Sequence, residues 1–362
     1  MLFRPHNMAI SLDLTTYCNA KCPQCHRTDR YGLDRNERFP LVNVSFEKFR
    51  NAFTPDTIRR FVSMSLVPTW GDMLMHPEVY EICEYILKCH KDNPSFVLQM
   101  DTNGSMRDED WWFKFGGLKK LNGPHLHVKF DVDGINQEMH EFYRRNTDLS
   151  KVLRNMQAFS ETFAKTQSQT ILFKHNQPYM KEIKELAEAH GSEKHSFVAS
   201  ERFHPAQTND KGQYNFTFEN TEYVLEKANP AVFKDPVISH IREDEDYERM
   251  KTEVVCRWSR DNKININFDG QVWPCCYFGY SDHGTDDPAH QNRFYSNELI
   301  EKYNKNRLRN NIYFTPIEEI LTNEWWTEDL PRSIAEEPIS QCERNCSFCH
   351  PDSVTQWRTL QV

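Results

Sequence analysis

Strand-like and helix-like segments alternate through the first two hundred residues. Ala9–Leu14, Phe61–Val67, Phe96–Met100, His125–Asp133, Ile171–Lys174 and His195–Ala199 read as strands. Ser45–Phe53, His76–Asp92, Asp108–Leu121, Gln137–Ala164 and Pro178–His190 read as the helices between them, with Gln137–Ala164 holding one or two. A helix after every strand returns the chain to the same end of the sheet, so six such units imply parallel strands with helices outside. The expected class is α/β. Loops that carry chemistry then lie at the C-terminal ends of the strands.

One such loop is chemically distinctive. The run Thr15-Thr16-Tyr17-Cys18-Asn19-Ala20-Lys21-Cys22-Pro23-Gln24-Cys25-His26 follows the first strand and spaces its cysteines C-x3-C-x2-C. Three thiolates on a short loop can hold three irons of a cubane [4Fe–4S] cluster and leave the fourth open to a small molecule. Zinc is the alternative, with His26 as a possible fourth ligand.

The chain has eleven cysteines: three here, Cys83 and Cys89 in the middle, and six in the last third. Cys83 shares a helical face with Val79, Ile82 and Ile86 and is expected in the core. No run of about 18 apolar residues suggests a membrane span, and the N-terminus lacks the apolar stretch of a signal peptide. The expected location is therefore cytoplasmic, where clustered cysteines read as metal ligands or buried thiols and not as disulfides. A formal charge of −9 argues against a general nucleic-acid binder.

The tail forms a second constellation. Cys256 precedes the alternating run Ile264–Trp273, which reads as a β-hairpin turning at Asp269-Gly270. Cys275 and Cys276 follow, then Cys342, Cys346 and Cys349 in Cys-Glu-Arg-Asn-Cys-Ser-Phe-Cys. Cys276, next to Cys275, is expected to point the other way along a strand. Residues 200–253, with many charges and several prolines, read as a connector containing one or two helices.

Together these motifs resemble the radical S-adenosylmethionine (SAM) enzymes, and the tail resembles their SPASM and twitch appendages. Trp70-Gly71-Asp72 is similar to the family's Gly-Gly-Glu segment, Thr102-Asn103-Gly104 to its third-strand triplet, and Lys129–Gly134 with Arg144 to its fourth-strand segment. The resemblance implies a partial (β/α)6, TIM-like barrel over 1–200, a connector over 201–254 and a small cysteine-rich twitch/SPASM-like domain over 255–362. It implies that Cys18, Cys22 and Cys25 hold a [4Fe–4S] cluster. Gly71 and Asp72 would meet the SAM amino group. Asn103 would touch cofactor or substrate, and Asp131 and Arg144 would lie near the SAM ribose or carboxylate. Arg145 is an available alternative to Arg144, and Lys174 and Asn176 are further candidates. On the residues alone, Asp72 also reads as a helix cap and Asn103-Gly104 as a turn pair. One departure stands out: relatives carry an aromatic or apolar residue just before the third cysteine, against the adenine, and here it is Gln24.

In the tail, four of Cys256, Cys275, Cys342, Cys346 and Cys349 would hold an auxiliary [4Fe–4S] cluster. The favoured set is Cys256 and Cys275 with Cys346 and Cys349. Binding by Cys342 would free one of the hairpin cysteines or imply a second metal, and a structural zinc is the alternative.

The implied activity is reductive cleavage of SAM to a 5′-deoxyadenosyl radical that abstracts hydrogen from a substrate, with the auxiliary cluster accepting an electron. That is an oxidoreductase supplied by an external donor such as flavodoxin or ferredoxin. Relatives of this subgroup mostly modify peptides or proteins, and some act on small molecules. The first strand begins within about ten residues of Met1, which leaves no leader-binding domain before it and weakens the peptide reading. A dehydrogenase or rearrangement enzyme for a small molecule is one alternative. An iron–sulfur electron carrier without catalysis is another.

Overall fold

The structure, a computed structural model, describes residues 2–37, 39–67, 69–120, 122–200, 202–203, 207–229, 249–250, 252–282 and 298–347. The chain divides into two compact units, one of residues 12–229 and one of residues 1–11 with 230–362. The strands in chain order are β1 (Met8–Leu12), β2 (Phe61–Leu66), β3 (Val97–Thr102), β4 (His125–Asp131), β5 (Lys165–Leu172), β6 (Lys194–Ala199), β7 (Tyr214–Phe218), β8 (Thr221–Leu225), β9 (Lys263–Ile266) and β10 (Val272–Trp273).

In the larger unit β2 to β6 lie side by side in chain order, every pair parallel, as the alternation of the sequence requires. The crossover helices start on short polar side chains. Ser45 accepts from the Lys48 amide, Asp108 from Trp111 and Asp148 from Lys151, each satisfying a helix N–H that has no partner within the helix. The stretch 137–164 is two helices, Gln137–Glu141 and Leu149–Ser160.

Register partners in parallel strands face the same side, so Leu98 with Leu126 and Met100 with Val128 build one face. Phe130 extends that face, packing against Trp112 at 4.8 Å and Phe159 at 6.1 Å on the helices. Full burial of such side chains contributes about 1.5–3 kcal/mol each. Cys83 is fully buried, as its helical spacing indicates.

Two segments differ from the sequence reading. β5 starts at Lys165, six residues before the expected Ile171. Its first six residues, Lys-Thr-Gln-Ser-Gln-Thr, are polar on both faces, so no apolar alternation marks them. Within 200–253, the described residues 214–225 form an antiparallel hairpin, β7–β8, and not a helix. Glu219 and Asn220 at its tip both have positive φ, 49° and 61°, the conformation whose twist suits a two-residue hairpin.

In the smaller unit β1 lies beside β9, with the Ala9 N–H donating to the Asn262 carbonyl at 3.0 Å. The expected hairpin is present as antiparallel β9 and β10, turning through Gly270 at φ +88°. Trp273 stacks on Tyr303 at 3.9 Å, and Phe3 meets Trp326 edge-on at 5.4 Å. Asn262 donates to the carbonyls of Arg4, His6 and Asn7, which fixes the first residues of the chain to this unit.

Candidate cysteine-loop and four-cysteine sites

The cysteine loop leaves β1 along a backbone held from two sides. The Thr16 N–H donates to the Val42 carbonyl, and its hydroxyl accepts from the Val42 N–H at 2.8 Å and donates to the Pro40 carbonyl at 2.6 Å. On the other side the Asp72 N–H donates to the Tyr17 carbonyl at 2.8 Å. A Cβ at Gly71 would stand 2.5 Å from the Thr15 carbonyl oxygen and 2.6 Å from that of Tyr17, so only glycine allows this approach. Beyond Cys18 the loop coils into tight turns. Cys25 N–H donates to the Cys22 carbonyl, and the Thr28 hydroxyl to the carbonyls of Cys22 and Cys25.

The three cysteines come together at the strand ends. Burial pushes the Cys18 thiol up, and Asp72, Cys22 and Cys25 add to the push while Arg27 opposes it. Burial likewise pushes Cys22 up to about 12, against the pull of Arg144. Thiolates are the metal-binding form, so Cys18 and Cys22 stay protonated until a cationic group is present to compensate the charge. Among the described residues no three His, Cys, Asp or Glu side chains close around one point as a single metal ion requires. A tetrahedral zinc would need sulfurs about 3.8 Å apart; a four-iron cubane takes each thiolate on a separate iron. Cys22 is buried with Cys18 and Cys25 packed against the same apolar cluster, and three thiols on one loop suit the ligands of such a cubane with one iron left open. His26 has the Trp70 ring as a neighbour at 6.3 Å.

Three strand ends meet this loop. Asp72 is buried, and its carboxylate accepts from the Thr102 hydroxyl at 2.9 Å, the Asn103 N–H at 2.8 Å and the Leu74 N–H at 3.0 Å. It thus joins the ends of β2 and β3, and burial pushes its pKa up. Asn103 Nδ2 lies 3.8 Å from Cys18 Sγ and donates to Asn19 Oδ1 at 3.0 Å. Arg144 pairs with Asp131 at 2.9 Å and Asp133 at 2.5 Å, and its Nη1 lies 3.9 Å from Cys22 Sγ. Burial pushes the Asp131 carboxyl up, against the pull of Arg144. Behind the arginine, His140 Nδ1 accepts from the Asp133 N–H, so its Nε2 carries the proton toward the Thr147 hydroxyl, which donates to the Arg144 carbonyl.

The structure thus brings together Cys18, Cys22, Cys25, Gly71, Asp72, Asn103, Asp131 and Arg144. Arg145 goes elsewhere: its guanidinium lies 4.2 Å from the Tyr223 ring centroid and 5.1 Å from that of Phe218, on the β7–β8 hairpin. Lys174 is 65% exposed and pairs with Glu226 at 2.8 Å, also toward the hairpin. Asn176 is buried and bonded to the carbonyls of Asp133 and Ile171.

The structure also adds residues that sequence reasoning missed. Asp133 and Tyr143 flank Arg144, with Tyr143 and Cys22 in one buried cluster that includes Phe173, Phe203 and Tyr214. Gln24 acquires a physical account. Its Nε2 donates to the Arg202 carbonyl at 2.5 Å, its Oε1 accepts from the Ser200 hydroxyl at 2.7 Å, and its own carbonyl accepts from Arg202 Nη1 at 2.8 Å. A polar residue stands at this position because it ties the cysteine loop to the segment after β6.

In the smaller unit one cavity is lined by Cys256, Cys275, Cys342 and Cys346, with Trp258, Phe278 and Leu330. Burial pushes Cys275 and Cys342 well up, and neighbouring cysteines of the set add to both. Four thiols in an apolar cavity fit a fully ligated iron–sulfur cluster. Cys349 lies outside the described residues. Cys276 does not continue a strand: β10 stops at Trp273, and Cys276 opens the helix Cys276–Asp282.

The Radical SAM superfamily model matches residues 12–189. These residues are a radical SAM superfamily domain. Domains of this family carry a [4Fe–4S] cluster and bind SAM. Among solved structures, Streptococcus suis SuiB bound to S-adenosylmethionine is similar at 12% identity and TM-score 0.52, over 83% of this chain and 66% of SuiB. Native anSMEcpe with bound AdoMet is similar at 14% identity and TM-score 0.56, over 96% of this chain and 91% of that one. The same protein with AdoMet and the Cp18Cys peptide matches at 16% identity and TM-score 0.55, over 95% and 90%. At these identities the likeness is one of fold, and it agrees with a parallel sheet in a mixed α/β radical SAM domain. No curated protein sequence matches the chain. Among the described residues no helix is long and apolar enough to cross a membrane.

Proposed function

We propose that the chain is a radical SAM oxidoreductase that modifies a peptide, with a second iron–sulfur cluster held in its C-terminal unit. The observation that carries this reading is the convergence of Asn103 and Arg144 on the sulfurs of Cys18 and Cys22. A [4Fe–4S] cluster with SAM bound supplies one-electron cleavage of the sulfonium carbon–sulfur bond, giving methionine and a 5′-deoxyadenosyl radical that abstracts hydrogen.

The residues divide that work. Cys18, Cys22 and Cys25 hold three irons. Asn103 and Arg144 direct N–H groups at two of the sulfurs and steady their charge. Arg144, its Nη1 and Nε held by Asp131 and Asp133, would meet the SAM carboxylate. Asp131 and Asp133 fix the plane of that guanidinium, as bidentate recognition requires. Gly71 lets the β2 end touch the loop, and Asp72 places a carboxylate beside the cationic amine of SAM while positioning Asn103. Lys174 acts through the hairpin, which it pins. Cys256, Cys275, Cys342 and Cys346 would hold the auxiliary cluster. Four protein ligands leave no iron open to substrate, which suits an electron acceptor in a net oxidation. The peptide reading draws on the fold likeness to SuiB and anSMEcpe, both seen with peptides.

Anaerobic reconstitution followed by reduction and SAM addition tests the proposal. About eight irons per chain and release of 5′-deoxyadenosine are expected. No release from protein with both clusters intact would defeat it.

A further inference from the structure

The radical SAM reading leaves one surface of the barrel unexplained: the sheet face opposite the helices. Buried parallel strands are normally apolar on both sides. Here the opposite face carries Gln99 and Asp101 on β3, His127, Lys129 and Asp131 on β4, and Lys165, Gln167 and Gln169 on β5, each matched by register to a neighbour on the same side. Lys194 of β6 continues it beside Gln167.

The charges at the upper end are neutralised within the protein. Lys129 pairs with Asp101 at 2.8 Å, and Arg144 pairs with Asp131. The lower end is not. Lys165 is half-buried, and Lys194 is exposed; neither makes an ion pair among the described residues. Lys165 is the register partner of His127, whose ring lies 5.7 Å from that of His125. Burial pushes His127 down to about 4, and Lys165, His125 and Lys119 add to the push. Beside the two lysines stands Glu193, whose Oε1 accepts from the Thr166 N–H at 3.1 Å, so two cations against this one carboxylate make the lower end a weakly cationic spot on a chain of net charge −9. Between it and Asp131 stand Gln167 and Gln169, whose side-chain amides make no hydrogen bond among the described residues. An amide offers both a donor and an acceptor, the complement of a peptide backbone.

We propose that this face holds an extended acidic peptide, with a Glu or Asp side chain against Lys165 and Lys194 and its backbone along Gln167 and Gln169. This rests on the peptide reading above and names the class of peptide. The spacing follows from strand geometry. Gln169 is the register partner of Asp131 and lies four residues from Lys165, a rise of about 13 Å. An extended substrate has the same rise per residue, so its acidic residue lies about four residues from the one presented to the Asp131–Arg144 end.

The test uses the reconstituted full chain with SAM and fluorescein-labelled Ser/Gly octapeptides carrying one central Glu, Gln or Lys, read by anisotropy. The Glu peptide is expected to bind about five- to tenfold tighter than the Gln peptide at low salt and the Lys peptide weakest. The Glu preference should shrink in 0.5 M salt, as an unscreened pairing would. Lys165→Gln, which keeps most of the side-chain stem, should remove most of it. Lys184→Gln, at an exposed helical ion pair with Glu188, should not. Iron content and melting temperature check that each variant is folded. Equal binding of the Glu and Gln peptides, or a preference that survives Lys165→Gln, overturns the proposal. So does displacement of every peptide alike by millimolar inorganic phosphate, which would assign the cations to a free anion. Release of 5′-deoxyadenosine by the unmodified protein is measured alongside, so that failure of the radical SAM reading is seen separately.

Discussion

Gly71 stands so close to Thr15 that a Cβ on it would lie 2.5 Å from the Thr15 carbonyl oxygen. The atoms it would meet are backbone and cannot rotate away. Gly71→Ala should therefore displace the strand that leads into Cys18, at a cost of about 1–3 kcal/mol. The expected result is a lower melting temperature and loss of about four irons per chain from the reconstituted protein. A variant that loads iron like the parent would show that the loop tolerates the shift.

The tail cysteines allow a contrast between neighbours in sequence. Cys275 lines the four-cysteine cavity and Cys276 does not. Cys342→Ala should drop the iron count from about eight to about four per chain, and Cys276→Ala should leave it near eight. Equal losses from both would mean that the ligand set is not the one lining the cavity.

How much of this was legible depends on what kind of signal each residue sends. The parallel sheet was readable because Leu98, Met100, Leu126 and Val128 recur at period two between amphipathic helices. The cysteine loop was readable because its ligands are adjacent in sequence. Asp133 was not identified as a partner of Arg144, because their 2.5 Å contact depends on how the helix after β4 folds back. The polar start of β5 was missed for a related reason. Its inward residues form the face assigned here to substrate and the alternate set, Thr166, Ser168 and Thr170, is buried but polar, with Ser168 and Thr170 bonded to His195, so neither face carries an apolar pattern. Among Cys342, Cys346 and Cys349, spacing alone favoured the last two, whereas one helix, Ser340–Cys346, carries Cys342 and Cys346 to the cavity.

Gln24 gives a prediction that runs against family resemblance. The resemblance implies an aromatic or apolar residue at its position. Here the side chain is buried and bonded to both Ser200 and the Arg202 carbonyl. Gln24→Phe would remove both of these hydrogen bonds, at about 1–3 kcal/mol for such a loss. The variant should melt lower and bind SAM more weakly by calorimetry. Unchanged stability together with tighter SAM binding would mean that an aromatic side chain reaches the cofactor here as well.

Asp13 supplies the pH dependence. It closes β1 fully buried, with one carboxylate oxygen accepting from the Thr69 and Trp70 amides and the other, Oδ2, without a partner. Burial raises its pKa to about 8, against the pull of the Trp70 amide and of the Thr69 side chain and amide. In the unfolded chain the value is about 3.9. Between these values the native state holds a proton that the unfolded state has released, so stability falls as pH rises from about 4 to about 8 and then levels. Asparagine keeps the accepting oxygen and carries no charge at any of these pH values. Asp13→Asn should therefore match the parent near pH 4.5 and exceed it by about 1–3 kcal/mol at pH 8.5, the scale of one uncompensated buried polar group. Thermal melts of both proteins at the two pH values measure the difference directly. A gain of the same size at both, or a loss at pH 8.5, would show that Asp13 is ionised and satisfied in the native state.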